Sequence, residues 1–235
     1  MVFGKIDYLN LLPFHVFLKG YPLPNSVKKG IEFKKGVPSK LCADLKNRRV
    51  DAAVISSIES RRSRYKKLNM GIVARDRVIS VLARRNTEFR RDPASMTSNV
   101  LCLVLGLNGE VVIGDNALKA YLRDGREAFY DMGEIWHEKT NLPFVFGRFC
   151  YTRNGEIYAR LVNKFLSKKV KIPRYILKNY SKSRGISEKD ILWYLQFISY
   201  RMDKKAQNAL KLYIRKARKL NFSPKEKKCQ KSSLI

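Results

Sequence analysis

The chain has only 4 Cys and 2 His among 235 residues, and their positions exclude several chemistries. Cys42, Cys102, Cys150 and Cys229 are widely spaced and form no metal-pair pattern, so isolated reduced thiols are expected. His15 and His137 stand far apart without a nearby ligand partner. A zinc or facial-triad iron site therefore lacks its usual residues, and no metal is predicted. Long hydrophobic runs are missing too. No stretch of about 18 uncharged apolar residues occurs, and the N-terminus carries no apolar export region with a small-residue cleavage site. The reading is a soluble cytoplasmic protein without a membrane partner.

Acidic residues are scarce: 20 Asp+Glu against 49 Lys+Arg give a formal net charge of +29. An excess of this size points toward nucleic acid, yet the basic residues are dispersed. They recur at Lys28 and Lys29, Arg61 to Arg64, Arg84 and Arg85, Lys168 and Lys169, Arg215 and Lys216, and Lys227 and Lys228. No glycine-aromatic RNA-binding signature, zinc finger or helix-turn-helix pattern accompanies them. A specific nucleic-acid partner is not expected, although weak adhesion to polyanions at low salt is.

What is present is a 45% apolar content, enough for one large core or two modest ones joined by crossings. Four segments end in small polar clusters: GKIDYLN (4 to 10), VDAAVISS (50 to 57), MTSN (96 to 99) and VVIGDNAL (111 to 118). In open α/β sheets, ligands bind outside the carboxyl ends of strands. Neutral hydroxyls and amides at several such tips, together with helix starts, suit a small carboxylate or phosphate.

The first part of the chain reads as alternating strands and helices: strands at 2–8, 31–35 and 50–55, helices at 11–18 and 38–47. Pro13 and Pro38 fall near helix starts. This series favours a mainly parallel sheet. A helix is expected over 58–65, strands over 71–74 and 78–83, and a domain crossing near Leu82. A helix over 100–105 follows Thr97-Ser98-Asn99, and one over 116–122 follows Gly114-Asp115. LPFVFGRFCY (142 to 151), after an aromatic turn around Trp136, is β-rich and carries the chain back. From Glu156 onward the periodicity is helical, including SEKDILWYLQFISYRM (187 to 202), entered through a capping-box-like Ser187 and Asp190. Ile191, Leu192, Leu195 and Ile198 recur at helical spacing and are assigned to the core. The charged tail from Ser223 is expected to fray.

The fragments YLN (8 to 10), DAAVISS (51 to 57), SVL (80 to 82), MTSN (96 to 99), IGDNAL (113 to 118) and YDMGEIWHEKTNLPFVFGRF (130 to 149) together resemble chorismate dehydratase of the futalosine route to menaquinone. They span most of residues 1–150. The resemblance implies the α/β fold of type II periplasmic binding proteins: two lobes joined by two crossings, a ligand cleft between them and a helical C-terminal segment. Lobe I would comprise 1–82 with 148–235, and lobe II 83–147.

The implied activity is loss of water from chorismate to give 3-enolpyruvyl-benzoate, a reaction driven by aromatisation that needs no redox cofactor or metal. In the family, the asparagine after Tyr-Leu lies at the reacting part of the ligand, which maps onto Asn10. A carboxamide is a very weak base, so Asn10 either takes the proton in a dry cleft or positions a substrate carboxylate or water that does. Ser56, Ser57, Ser80, Thr97, Ser98 and Asn99 are the implied substrate-binding residues, aided by the helix start after Ser98. Asp115, whose charge would repel an anion, is assigned to capping the next helix or to a ligand hydroxyl. Arg148, where a small or apolar residue is expected, is read as a surface side chain. The alternative reading is a non-catalytic binding protein of the same fold that holds a small carboxylate.

Overall fold

A computed structural model describes residues 1–220; the tail from Ser223, with Cys229, lies outside the described residues. The elements, in chain order, are β1 (Phe3–Ile6), α1 (Leu12–Gly20), α2 (Asn25–Phe33), β2 (Lys35–Gly36), α3 (Pro38–Lys46), β3 (Ala52–Ser56), α4 (Ser57–Ser60), β4 (Lys66–Ala74) and β5 (Val81–Arg84). They continue with α5 (Met96–Leu105), β6 (Val111–Ile113), α6 (Gly114–Asp124), β7 (Phe129–Asp131), α7 (Met132–Thr140) and β8 (Phe144–Tyr151). The last are α8 (Gly155–Leu166), α9 (Arg174–Arg184), α10 (Glu188–Leu195), β9 (Ile198–Arg201) and α11 (Lys204–Lys219).

Two sheets organise the chain. The larger has the order β2-β1-β3-β8-β4-β9, and the smaller β6-β5-β7. β2, β1 and β3 run parallel, whereas β8, β4 and β9 add antiparallel. β1 and β3 are buried at every residue, as expected for strands covered on both faces. Their layer is closed by an aromatic cluster in which Phe3 stacks on Phe149 at 5.7 Å, and Phe14 meets Phe165 edge-on at 4.9 Å. The small sheet rests on residues 81–131 alone, and the chain crosses between the two sheets after β4 and again before β8.

Several local expectations change. The second strand, expected at 31–35, is only Lys35–Gly36; α2 takes the residues before it, with Val27 and Ile31 one helical turn apart on its inner side. The helix expected over 58–65 stops at Ser60, because β4 already begins at Lys66. The strand expected from Val78 starts at Val81. Val78 and Ile79 instead give their N–H groups to the Asp131 carboxylate at 3.0 and 2.7 Å, and Ile79 adopts φ 48°, a conformation rarely taken by a β-branched residue. Trp136 is a fully buried residue of α7 rather than part of a turn. Ile198–Arg201 is a strand, not helix, since it pairs with β4. Leu192 is 46% exposed and so leaves the expected core.

Candidate active site

The carboxyl ends of β1 and β3, the start of β5, the N-terminal end of α5 and the β6–α6 junction converge on one cavity. Asn10, Ser56, Ser80, Ser95 and Ser98 supply its polar lining, and Tyr8, Ile55, Ile72, Phe146 and Gly114 are among its other walls. None of its lining residues is acidic or basic, apart from the weakly acidic Tyr8 phenol. Burial pushes that phenol up to about 12, so it stays neutral at physiological pH. The free volume is about 40 Å³, room for little more than a water molecule. A ligand larger than this requires the walls of the cavity to move apart.

Asn10 sits in a 3₁₀ turn, Leu9–Leu11, immediately beyond β1. Its carboxamide oxygen Oδ1 is buried without a hydrogen-bond partner in the protein, and a buried acceptor left unpaired is costly. Its backbone carbonyl, in contrast, accepts a hydrogen bond from the Tyr200 hydroxyl at 2.7 Å. Ser56, at the end of β3, exchanges a hydrogen bond with Thr97 of α5 at 2.5 Å. Ser80 does the same with the Tyr194 hydroxyl at 2.9 Å. Ser95 caps α5, its Oγ accepting from the Ser98 N–H at 3.2 Å. The positive end of that ten-residue helix is thereby held against the cavity.

Gly114 closes the floor. Its N–H donates to the Ser80 carbonyl at 2.8 Å, its φ is 64°, and a Cβ there would lie 2.9 Å from the Tyr8 ring. Only glycine meets both demands.

Of the sequence-predicted residues, Asn10, Ser56, Ser80 and Ser98 thus share one cavity. Thr97 stands behind it, bonded to Ser56 and receiving the Ile58 N–H at 3.3 Å. Ser57 faces away and donates to the Val145 carbonyl. Asn99 is occupied with the Asp92 backbone, accepting its N–H at 2.9 Å and donating to its carbonyl at 2.8 Å.

Asp115 does not cap its own helix, which already begins at Gly114. Its Oδ1 accepts the N–H of Leu9 at 2.9 Å, and Arg184 Nε lies 3.1 Å from Oδ2 in an alignment that makes a charge contact but no hydrogen bond. Arg184 also pairs with Asp7 at 2.8 Å. Desolvation outweighs these favourable contacts and raises the Asp115 carboxyl to about 6. Arg148 is half-buried rather than a surface side chain, its Nε has no partner, and desolvation lowers its pKa.

Residues missed from sequence come mostly from the C-terminal segment. Tyr194, Tyr200 and Tyr213 each hold a different part of the site, Tyr213 donating to the Thr97 carbonyl at 2.8 Å. A buried tyrosine hydroxyl needs a partner, but no local pattern names it when the partner is more than a hundred residues away. Asp131 is the other omission. It caps α7 through the N–H groups of Gly133 and Glu134 and at the same time fixes the first crossing.

A family model described as menaquinone biosynthesis matches residues 1–105 and 103–219. A protein named chorismate dehydratase from Campylobacter jejuni is 51% identical over 224 residues, 95% of this chain and 100% of that protein. Among solved structures, a protein of Archaeoglobus fulgidus is similar with a TM-score of 0.67 at 13% identity, covering 93% of this chain and 97% of that one. A Candida albicans protein described as having the generic periplasmic binding protein fold matches with a TM-score of 0.51 at 12% identity, over 95% and 91% of the two chains.

Proposed function

This chain belongs to the chorismate dehydratase family of menaquinone biosynthesis, and we propose from that premise how its cleft works. The function is conversion of chorismate to 3-[(1-carboxyvinyl)oxy]benzoate and water, which makes the protein a hydro-lyase. The observation that carries the site assignment is the buried, unpartnered Oδ1 of Asn10 beside a cavity lined by serine hydroxyls.

Chorismate carries two carboxylates, a ring hydroxyl and a hydrogen on the adjacent ether-bearing carbon. In the proposed step that C–H bond breaks and its proton goes to Asn10 Oδ1. The electron pair forms the last ring π-bond as the C–O bond to the hydroxyl breaks. Protonated carboxamide is a strong acid, so it returns the proton to the departing oxygen, which leaves as water. Asn10 ends unchanged. A carboxamide suffices because aromatisation supplies the driving force, and an oxygen already stripped of water needs no desolvation at the moment of transfer.

Ser56, Ser80 and Ser98 are assigned to the substrate's carboxylates, with α5 contributing its positive end. Thr97 orients Ser56 from behind, and Ser57, Asn99 and Asp115 shape the walls rather than touch the substrate. Opening of the lobes admits chorismate, and closure excludes bulk water. The lobes are proposed to divide near Ser80 and Pro143, a few residues before the boundaries expected from sequence. A cytoplasmic location is part of the same reading; among the described residues no helix is long and apolar enough to cross a membrane.

Incubation with chorismate, followed by ultraviolet absorbance and chromatography, tests the function. Loss of chorismate with appearance of an aromatic product is expected. Saturable binding without turnover would instead identify a binding protein.

A further inference from the structure

A second concavity of about 680 Å³ opens on the face of lobe I behind Asn10, a volume within the range of small-molecule sites. Its floor is apolar, built from Phe165, Leu177, Leu195 and Ile198, and exposed Leu192 forms a lip. Around it stand Lys168, Lys169, Lys171 and Arg201, all exposed, and no acidic residue lines the groove. Among the described residues none of these four makes an ion pair; Arg201 instead donates to the Leu166 carbonyl at 3.0 Å, clasping β9 to the end of α8. The groove also reaches the candidate site. Tyr200 and Pro13 line it, Tyr200 holds the Asn10 carbonyl, and Pro13 lies three residues beyond Asn10 in the first turn of α1.

We propose that this groove binds a free amphipathic monoanion, a medium-chain alkyl carboxylate, and that Tyr200 transmits its occupancy to Asn10. The apolar floor takes the chain, and the unpaired cationic rim takes the carboxylate. The shape argues against a membrane surface as the occupant, since the floor residues Phe165, Leu177 and Ile198 are buried in the groove rather than projecting. Because both the ligand and the Asn10 turn contact Tyr200, occupancy and turnover are linked.

The test uses the full chain and decanoate, with calorimetric titration and chorismate turnover measured in parallel. Expected are saturable one-to-one binding that weakens with salt, no displacement by chorismate, and a change in kcat of at least two-fold at saturation. Leu192→Glu, a change at an exposed position, and a combined Lys168→Gln, Lys169→Gln, Lys171→Gln variant should each weaken binding at least ten-fold while keeping basal turnover. Equal binding of decyltrimethylammonium would overturn the charge assignment. Displacement by chorismate, an unaltered kcat at saturation, or binding only to anionic phospholipid vesicles would overturn the proposal itself. The kcat effect rests on the dehydratase reading, and absence of chorismate turnover both with and without decanoate would count against that reading; decanoate binding is read directly by heat and stands apart from it.

Discussion

The Tyr200 hydroxyl donates to the backbone carbonyl of Asn10 across 2.7 Å and 190 positions of sequence. This bond fixes the turn from which the Asn10 carboxamide projects, while leaving Oδ1 itself unpaired. Removing the hydroxyl strands a part-buried carbonyl, at a cost of about 1–3 kcal/mol. Tyr200→Phe should therefore lower kcat roughly ten-fold with KM little changed. Steady-state kinetics on a variant with unaltered circular dichroism checks this, and a pure KM effect would contradict it.

Ser80 and Tyr194 form a second such pair, 2.9 Å apart and fully buried. Ser80→Ala should raise KM, since it removes a proposed carboxylate ligand, whereas Tyr194→Phe should raise it less. A double-mutant cycle in urea denaturation should give a coupling of about 1 kcal/mol. Strict additivity would show that the two hydroxyls do not interact.

Asp115 makes stability depend on pH with an unusual sign. Its folded-state pKa of about 6 exceeds the usual 3.8, so the folded state holds the extra proton between those values. Stability is then greatest below about pH 4 as far as this group is concerned, falls as pH rises toward 6 and levels off above. The total is on the order of 3 kcal/mol. Asp115→Asn keeps an acceptor for the Leu9 N–H and deletes this dependence. Its stability relative to wild type should rise by about that amount from pH 4 to pH 7 in urea titrations; a pH-independent difference would contradict the assignment.

Gly114→Ala should cost about 2 kcal/mol or more, because the new Cβ meets the Tyr8 ring in a backbone conformation that disfavours side chains. Thermal unfolding checks the loss. Pairing it with Tyr8→Ala, which removes the ring, should recover the steric part but not the conformational part.

Much of the larger sheet's first half is legible in sequence because its signals are local. β3 is an apolar run that ends at Ser56-Ser57, β1 is a short strand interrupted by Lys5 and followed by Tyr8-Leu9-Asn10, and α3 announces itself with Pro38 in its first turn. Asn10, Ser56 and Ser98 fall in such polar clusters and Ser80 in the SVL fragment that carries the family resemblance, and the fold brings all four to one cavity. What was hidden depends on distant partners. β9 follows directly on the apolar run of α10, and only pairing with β4 makes it a strand. Gly114-Asp115 has the local look of a cap, yet the Asp115 carboxylate is claimed by an N–H 106 positions away. The tyrosines of the last third look like ordinary core, since nothing nearby reveals which hydroxyl meets which turn.

The central claim is that Asn10 Oδ1 moves the proton. Turnover and calorimetric binding of chorismate by Asn10→Ala, compared with wild type on folded protein, test it most directly. The account predicts a fall in kcat of about 10²-fold or more with affinity retained within a few-fold; unchanged kcat would contradict it.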